Sequence, residues 1–163
     1  MTWLKPSLLL VLLALLGCDS SAPPLKMDEP ARPFSAQSLD GHSVDVPGDT
    51  AGKVTVIRFW ADWCPFCKKE LTDIEKVWNK NKGKGLLVLA VNAGQGKEKV
   101  ASFAASLGLT YPVLLDEESR TTRLYGVTGL PATFILDREG RLKAKILGAM
   151  DEASFRKAVE DLL

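Results

Sequence analysis

The hydrophobic positions of the chain follow two patterns, which are short continuous apolar runs and longer stretches with an apolar residue at every third or fourth position. Runs of β-branched and aromatic residues, such as 54–60, predict strands that are buried on both faces of a sheet. Stretches such as 65–79 predict amphipathic helices. The predicted elements are a strand at 54–60, a helix at 65–79, a strand at 86–91, a helix at 97–107, a short helix at 117–125, strands at 132–136 and 142–147, and a last helix from Asp151 to the end. This alternation predicts an α/β layer architecture.

Two segments of different character precede the first predicted strand. Residues 34–53 contain the turn-forming pairs Asp40-Gly41 and Pro47-Gly48 between short apolar alternations, and they predict a small hairpin. Residues 18–33 are rich in serine, alanine and proline, which favours an extended, solvated tether. The folded domain is therefore predicted to cover residues 34–163.

The amino terminus has the pattern of an export signal. Lys5 precedes an unbroken apolar stretch at 8–16, which is about half the roughly 20 residues that a membrane-spanning helix needs. Residues 15–18 (LLGC) resemble the bacterial lipobox, which implies that residues 1–17 are removed and that Cys18 carries lipid. Asp19 resembles the signal that keeps such lipoproteins on the inner membrane of Gram-negative bacteria. An ordinary secreted protein with an unpaired Cys18 is the alternative.

Composition and cysteine count narrow the possible functions. A formal net charge of +1, without a basic stripe, gives no support to a nucleic-acid partner. If lipid occupies Cys18, the exported domain keeps only Cys64 and Cys67. A bond across two intervening residues closes too small a loop to constrain the unfolded chain strongly. The pair is therefore interpreted as chemical rather than structural.

The position of this cysteine pair suggests a mechanism. A helix that begins here would present free N–H groups and the positive end of its dipole, which stabilise a thiolate at Cys64. Cys67, one turn further, would then attack a mixed disulfide at Cys64 and release the partner. A structural zinc site needs about four ligands, and the single histidine, His42, lies in a predicted turn. We expect no resident metal or cofactor, although two thiolates can hold Cu(I), so a copper chaperone remains open.

Four motifs in order carry a family resemblance. These are residues 59–70 (FWADWCPFCKKE), 91–94 (VNAG), 111–116 (YPVLLD) and 129–137 (GLPATFILD). Together they resemble the TlpA/ResA group of exported disulfide reductases within the thioredoxin superfamily. The resemblance implies a thioredoxin-like fold with a central mixed sheet flanked by helices, extended by the amino-terminal hairpin. It also implies disulfide-containing protein substrates outside the cytoplasm and a DsbD-like or CcdA-like membrane reductase that restores the dithiol.

The resemblance also assigns supporting roles near the cysteines. It implies that Pro131 follows a cis peptide bond and lies against the disulfide, and that the Leu130 backbone pairs with an extended substrate segment. Trp63 belongs to the motif itself, directly before Cys64. Without the family, Pro131 is simply a proline at the first position of a strand, which is also allowed.

The chain departs from the family pattern at two positions. Arg58 stands where thioredoxins have a buried acid, and arginine cannot act as a base. Its charge either lowers the pKa of a thiol or pairs with a carboxylate in a structural role, and both interpretations stay open. Gln95 stands where ResA-like sequences have a glutamate, so it can hydrogen-bond a thiolate but cannot exchange a proton with it.

The direction of electron flow does not follow from the cysteine motif alone. The intervening Pro65-Phe66 pair is neither the Gly-Pro of reducing thioredoxins nor the Pro-His of the strong oxidant DsbA, and it lacks a positive imidazole. The family resemblance favours a reductase. A peroxiredoxin-like peroxidase is a further alternative, although the reactive cysteine of those enzymes is not part of a WCxxC pair.

Overall fold

A computed structural model describes residues 23–163 of the chain. The predicted signal peptide and Cys18 lie outside the described residues. The main elements are β1 Phe34–Gln37, β2 Ser43–Val46, β3 Val54–Trp60, α1 Cys67–Asn81, β4 Leu86–Ala93, α2 Lys97–Ser106, β5 Val113–Asp116, α3 Arg120–Leu124, β6 Ala132–Leu136, β7 Leu142–Leu147 and α4 Glu152–Glu160. Among these residues, no helix combines the length and the apolar character that crossing a membrane requires.

Five strands form one mixed sheet in the order β5-β4-β3-β6-β7, and β1 and β2 form a separate antiparallel hairpin. Strand β3 pairs parallel with β4 and antiparallel with β6, so it lies at the centre of the sheet. Every residue of β3 is buried, as its continuous apolar run predicts. The predicted α/β fold with a central mixed sheet and an amino-terminal hairpin is confirmed.

Side-chain alternation along β3 divides the core into two layers. Val54, Val56 and Trp60 face a layer that contains apolar residues of α1, α2 and α4. Ile57 and Phe59 face the opposite layer, which includes Tyr125 after α3 and residues of the hairpin and the amino-terminal segment. By this alternation Arg58 lies on the same face as Trp60, the face covered by α1.

The predicted tether is wrong for its second half, because residues 25–33 are part of the folded domain. Leu25 and Ala31 are buried in the second core layer. The Asp28 amide donates to the Leu142 carbonyl at 2.8 Å, and the Ala31 amide donates to the Gly140 carbonyl at 2.8 Å. The prolines and charged residues of this segment suggested solvation. Leu25 and Ala31 instead pack into the core, and the backbone of the segment hydrogen-bonds the β6–β7 hairpin.

Element boundaries differ from the predictions mainly at helix ends and at one short strand. Helix α1 begins two residues later than the apolar pattern indicated, with Phe66 as its N-cap, and it runs without a break to Asn81. Strand β5 was missed because four residues behind Pro112 are too few to show a period. It is recognisable only through its parallel pairing with β4.

Candidate active site

The two cysteines of the motif form a disulfide at the point where β3 passes into α1. Cys64 and Cys67 are bonded, with their Cα atoms 5.4 Å apart. Two successive turns bring them together, since the Cys64 amide donates to the Ala61 carbonyl at 3.2 Å and the Cys67 amide donates to the Cys64 carbonyl at 3.1 Å. Cys67 is the first residue of α1, so the pair lies at the amino end of that helix.

The helix end gives this pair its electrostatic character. The first N–H groups of a helix have no partner within the helix, and the dipole places partial positive charge there. A thiolate at Cys64 would meet this field as soon as the disulfide is reduced. The geometry therefore favours cleavage of the bond by a nucleophile and the return of Cys64 as a stabilised thiolate.

Both cysteines of the disulfide are buried, and exposed aromatic side chains border them. Cys64 is 2% exposed and Cys67 is fully buried. Trp63 and Phe66, the residues that directly precede each cysteine, are 66% and 59% exposed. Large apolar side chains are usually buried. Two exposed ones beside a reactive bond therefore indicate a surface that contacts another protein.

The β6 side of the site contains the predicted proline. The Leu130–Pro131 peptide bond is cis, which is the isomer that the family resemblance implies. The Pro131 carbonyl accepts from the Gly148 amide at 2.8 Å, which ties this turn to the end of β7. Leu130 packs, half-buried, against the core layer that contains both cysteines. Its predicted backbone pairing with a substrate, and the predicted contact of Pro131 with the disulfide, stay predictions.

The side chain of Gln95 holds the loop in front of Cys64. Its hydrogen bonds go to Asp62 and Asn92 and not to a sulfur. Its carbonyl oxygen accepts from the Asp62 amide at 3.0 Å and from the Asn92 side chain at 2.9 Å, and its amide nitrogen donates to Asp62 Oδ1 at 2.5 Å. Burial by itself would raise the pKa of Asp62, but hydrogen bonds from Gln95 and Lys99 outweigh it and hold that pKa below its usual value. Gln95 therefore joins the end of β4 to the cysteine loop.

Arg58 reaches a carboxylate, as one of its two open interpretations required. Its guanidinium forms an ion pair with Glu70 of α1 and also donates to the Thr133 hydroxyl of β6. Arg58 is 1% exposed and Glu70 6%. Burial lowers the pKa of Arg58 from its usual value, and the charge of Glu70 opposes this shift. The positive charge of the guanidinium is thus balanced by Glu70 inside the core layer that contains the cysteines.

Sequence reasoning did not single out Glu70, although it lies in the quoted motif. A signal was present, because a buried arginine in β3 requires a carboxylate on the element that covers it. Glu70 follows Cys67 by three positions and lies on the same helix. Asp62 and Met150 were missed in the same way, and only the folded chain brings them to Gln95 and Glu70.

The described residues contain no group of three or more histidine, cysteine or acidic side chains that could hold a metal ion. His42 is exposed in the turn of the β1–β2 hairpin, where its amide hydrogen-bonds Asp40. The predicted turn position of His42 is confirmed.

A disulfide between a central strand of a mixed sheet and the amino end of the helix that follows it defines a thiol–disulfide oxidoreductase with a thioredoxin-like fold. Comparison with known proteins agrees with this class. The sequence profile of the AhpC/TSA family matches residues 27–145, and the chain belongs to this family.

Several similar proteins are named as thiol–disulfide oxidoreductases or interchange proteins. The thiol-disulfide oxidoreductase ResA of Geobacillus kaustophilus is 30% identical over 165 residues, covering 98% of this chain and 94% of the relative. The sporulation thiol-disulfide oxidoreductase A of Bacillus subtilis is 27% identical over 157 residues, covering 93% and 94%. A crystal structure of a candidate thiol:disulfide interchange protein DsbE from Chlorobium tepidum aligns with a TM-score of 0.80 at 28% identity, covering 85% of this chain and 98% of that one.

Proposed function

We propose that this oxidoreductase is a disulfide reductase that acts on exported proteins at the outer face of a bacterial cytoplasmic membrane. The observation that carries the proposal is the Cys64–Cys67 disulfide at the start of α1, bordered by exposed Trp63 and Phe66. The names of the relatives support thiol–disulfide exchange as the reaction. Reduction, rather than oxidation, is favoured by the family resemblance and by the absence of a positive side chain between the cysteines.

The reaction balances without a further cofactor. In the dithiol form, the Cys64 thiolate attacks one sulfur of a client disulfide, forms a mixed disulfide and releases the first client thiolate. Cys67 then attacks the Cys64 sulfur, which releases the second client thiolate and closes the Cys64–Cys67 bond. Two electrons pass to the client, and its two thiolates take up the two protons that the enzyme's thiols lose.

A membrane dithiol donor must restore the reduced enzyme for a second turnover. A DsbD-like or CcdA-like reductase would supply these electrons. Lipid on Cys18 would hold the domain at the same membrane and so raise its local concentration near that donor. Incorporation of a labelled fatty acid by the wild-type chain, and its loss in Cys18→Ser, would support the anchor, whereas equal labelling of both would exclude it.

The surface around the disulfide suits an extended client segment with apolar side chains. Besides Trp63 and Phe66, Leu147 is 61% exposed. Leu147 pairs in register with Ala132, the residue that follows Pro131. The exposed apolar side chains therefore lie at the end of β7 and in the segment that joins β3 to α1. This surface has the character of a contact area for unfolded or partly folded protein.

Trapping the mixed disulfide tests the assignment of the two cysteines. We expect full-length Cys67→Ser, prepared with Cys18→Ser so that no other thiol competes, to accumulate an adduct between Cys64 and a disulfide-containing client. Mass spectrometry of the digested adduct identifies the sulfur that is bound. Cys64→Ser in the same background is the matched control and should form no adduct.

Three outcomes would contradict the proposal. An adduct at Cys67 in the Cys64→Ser control would reverse the roles of nucleophile and resolver. Tight stoichiometric Cu(I) binding without dithiol turnover would favour the copper chaperone. Direct consumption of peroxide by the reduced protein, without turnover of protein disulfides, would favour the peroxidase.

A further inference from the structure

A continuous polar connection links the central strand to the loop before the last helix. Arg58 of β3 pairs with Oε2 of Glu70 on α1. The other oxygen of Glu70, Oε1, accepts the Met150 amide at 2.6 Å. Met150 lies between β7 and α4 and directly precedes Asp151, the N-cap residue of α4. One buried carboxylate thus joins three elements around a single guanidinium.

The loop held in this way forms one side of a cleft next to the disulfide. The cleft has a volume of about 370 Å³. It is lined on the α1 side by Pro65, Phe66, Lys69 and Glu70, and on the loop side by Ala149, Met150 and Asp151. Phe66 directly precedes Cys67 and is largely exposed. The cleft therefore shares Phe66 with the border of the reactive bond, and four of its seven lining side chains are apolar.

We infer that Arg58 is a positioning residue for client binding. Through Glu70 it fixes the Met150 backbone, so that the cleft keeps the shape that receives an apolar side chain next to the client cysteine. This inference rests on the proposed reductase function for its client, but the coupling between Arg58 and the loop stands on the hydrogen bonds alone. It assigns Arg58 to client selection rather than to the chemistry at the sulfurs.

The contacts of Arg58 explain why its charge is needed. Without the guanidinium, Glu70 would be a buried carboxylate with no cationic partner, and it would move toward water or draw in solvent. We expect the carboxylate to shift from the position in which its Oε1 accepts the Met150 amide. The Thr133 hydroxyl, which Arg58 also contacts, fixes the guanidinium from the β6 side and carries no charge that could replace it.

Hydrogen exchange measures the coupling without any client. In the full chain in detergent, we expect Arg58→Met to accelerate exchange of the Met150 amide about tenfold or more, the effect of losing one charge-assisted hydrogen bond. Arg58→Lys should restore most of the protection. Lys157→Met, which removes an exposed ion pair with Asp161 on α4, is the matched control and should leave this amide unchanged.

A second variant covers the case in which Arg58→Met fails to fold. Glu70→Asp keeps the negative charge but is one methylene shorter, so it cannot reach both Arg58 and the Met150 amide. We expect it to accelerate exchange at Met150 as Arg58→Met does. Unchanged protection of this amide in the folded variants would overturn the inference.

Kinetics with paired clients separate selection from chemistry. Two disulfide peptides that differ only in leucine or serine beside the cysteine should be reduced by the wild type with a preference for leucine. In Arg58→Met, we expect the preference in kcat/KM to fall about tenfold, through KM rather than kcat. An equal loss of kcat for both peptides would mean that Arg58 acts at the thiols. A wild-type chain that reduces neither peptide would contradict the proposed function while leaving the exchange result valid.

Discussion

At the scale of single residues, the side chains around the disulfide act by holding loops. Gln95 uses both ends of its amide, with the oxygen accepting from Asp62 and Asn92 and the nitrogen donating to the Asp62 carboxylate. A carboxylate at this position could accept from the same backbone amide but could not donate to Asp62. The amide is therefore suited to a loop whose own acid is already ionised.

Gln95→Glu should consequently destabilise the protein in a pH-dependent way. Two facing carboxylates share a proton, so their joint pKa rises above the unfolded values of about 4. A raised carboxyl pKa costs stability as pH increases, so the deficit relative to wild type should grow from pH 4 to pH 7, to about 1 to 2 kcal/mol. Urea unfolding at both pH values measures it.

Gln95→Met is the matched control for this prediction. It removes the hydrogen bonds without adding a charge, so its deficit should depend much less on pH between these two values. A deficit of Gln95→Glu that stays constant or shrinks as pH rises would show that the two carboxylates do not face each other.

Which single residues could be predicted depended on whether their partners lay nearby in sequence. Cys64, Cys67 and the cis isomer at Pro131 followed from short motifs. The partner of Arg58 did not, because Glu70 reaches it only when α1 packs on β3. Charge balance limited the answer to an acid on the covering helix, but several acids lie on α1, and geometry alone selects Glu70.

At the scale of elements, α1 carries both the site and its own charge pattern. Asp73 lies between Lys69 and Lys76, which contact it at i−4 and i+3. Burial by itself would raise the pKa of Asp73, but hydrogen bonds and charge from the two lysines outweigh it and hold that pKa below the usual 3.8. The helix is thus stabilised by an acid that stays ionised.

Asp73→Asn should therefore lower stability at neutral pH but not in acid. A carboxyl group with a depressed pKa stabilises the fold above its unfolded pKa and loses that effect as pH falls through its folded value. We expect the difference in Tm between wild type and Asp73→Asn to persist from pH 7 to pH 4 and to narrow below 3.8. A difference that widens in acid would contradict the assigned contacts.

A control on α4 separates the effect of the buried Asp73 from the effect of removing any acidic side chain near a helix. Asp161→Asn removes the exposed pair with Lys157 on α4. Exposed pairs contribute little, so this variant should differ from wild type by less than Asp73→Asn at neutral pH.

Elements with a strong period were predictable, and those defined by pairing were not. The strands β3, β6 and β7 have the predicted bounds, because each is a long apolar or alternating run between turn residues. The short strand β5 lacked such a pattern. Helix α3 covers only five residues and was predicted longer, since its flanks form turns that share its composition.

At the scale of the whole molecule, the amino-terminal segment closes the layer opposite α1. Leu25 enters the core that contains Phe59, and the Tyr125 hydroxyl donates to the Arg32 carbonyl at 2.9 Å. The Leu142 amide donates to the Glu29 carbonyl at 2.9 Å. A domain cut at residue 34 would expose this layer, whereas a cut at residue 23 would keep it covered.

We expect removal of residues 1–33 to cost about 3 kcal/mol or more relative to removal of residues 1–22, from lost apolar burial and backbone hydrogen bonds. Within the longer form, Leu25→Ala should cost about 2 kcal/mol. Met27→Ala is the matched control, because Met27 lies in the same segment and is 53% exposed. Equal stability of the two truncated forms in urea would mean that the segment is a tether after all.

The reduction potential of the Cys64–Cys67 pair in the full Cys18→Ser chain tests most directly whether electrons flow from this protein to its clients. Equilibration with glutathione and thioredoxin standards gives the value. The account predicts a potential near that of thioredoxin, about −270 mV, whereas a value near that of DsbA, about −120 mV, would make the protein an oxidant and contradict it.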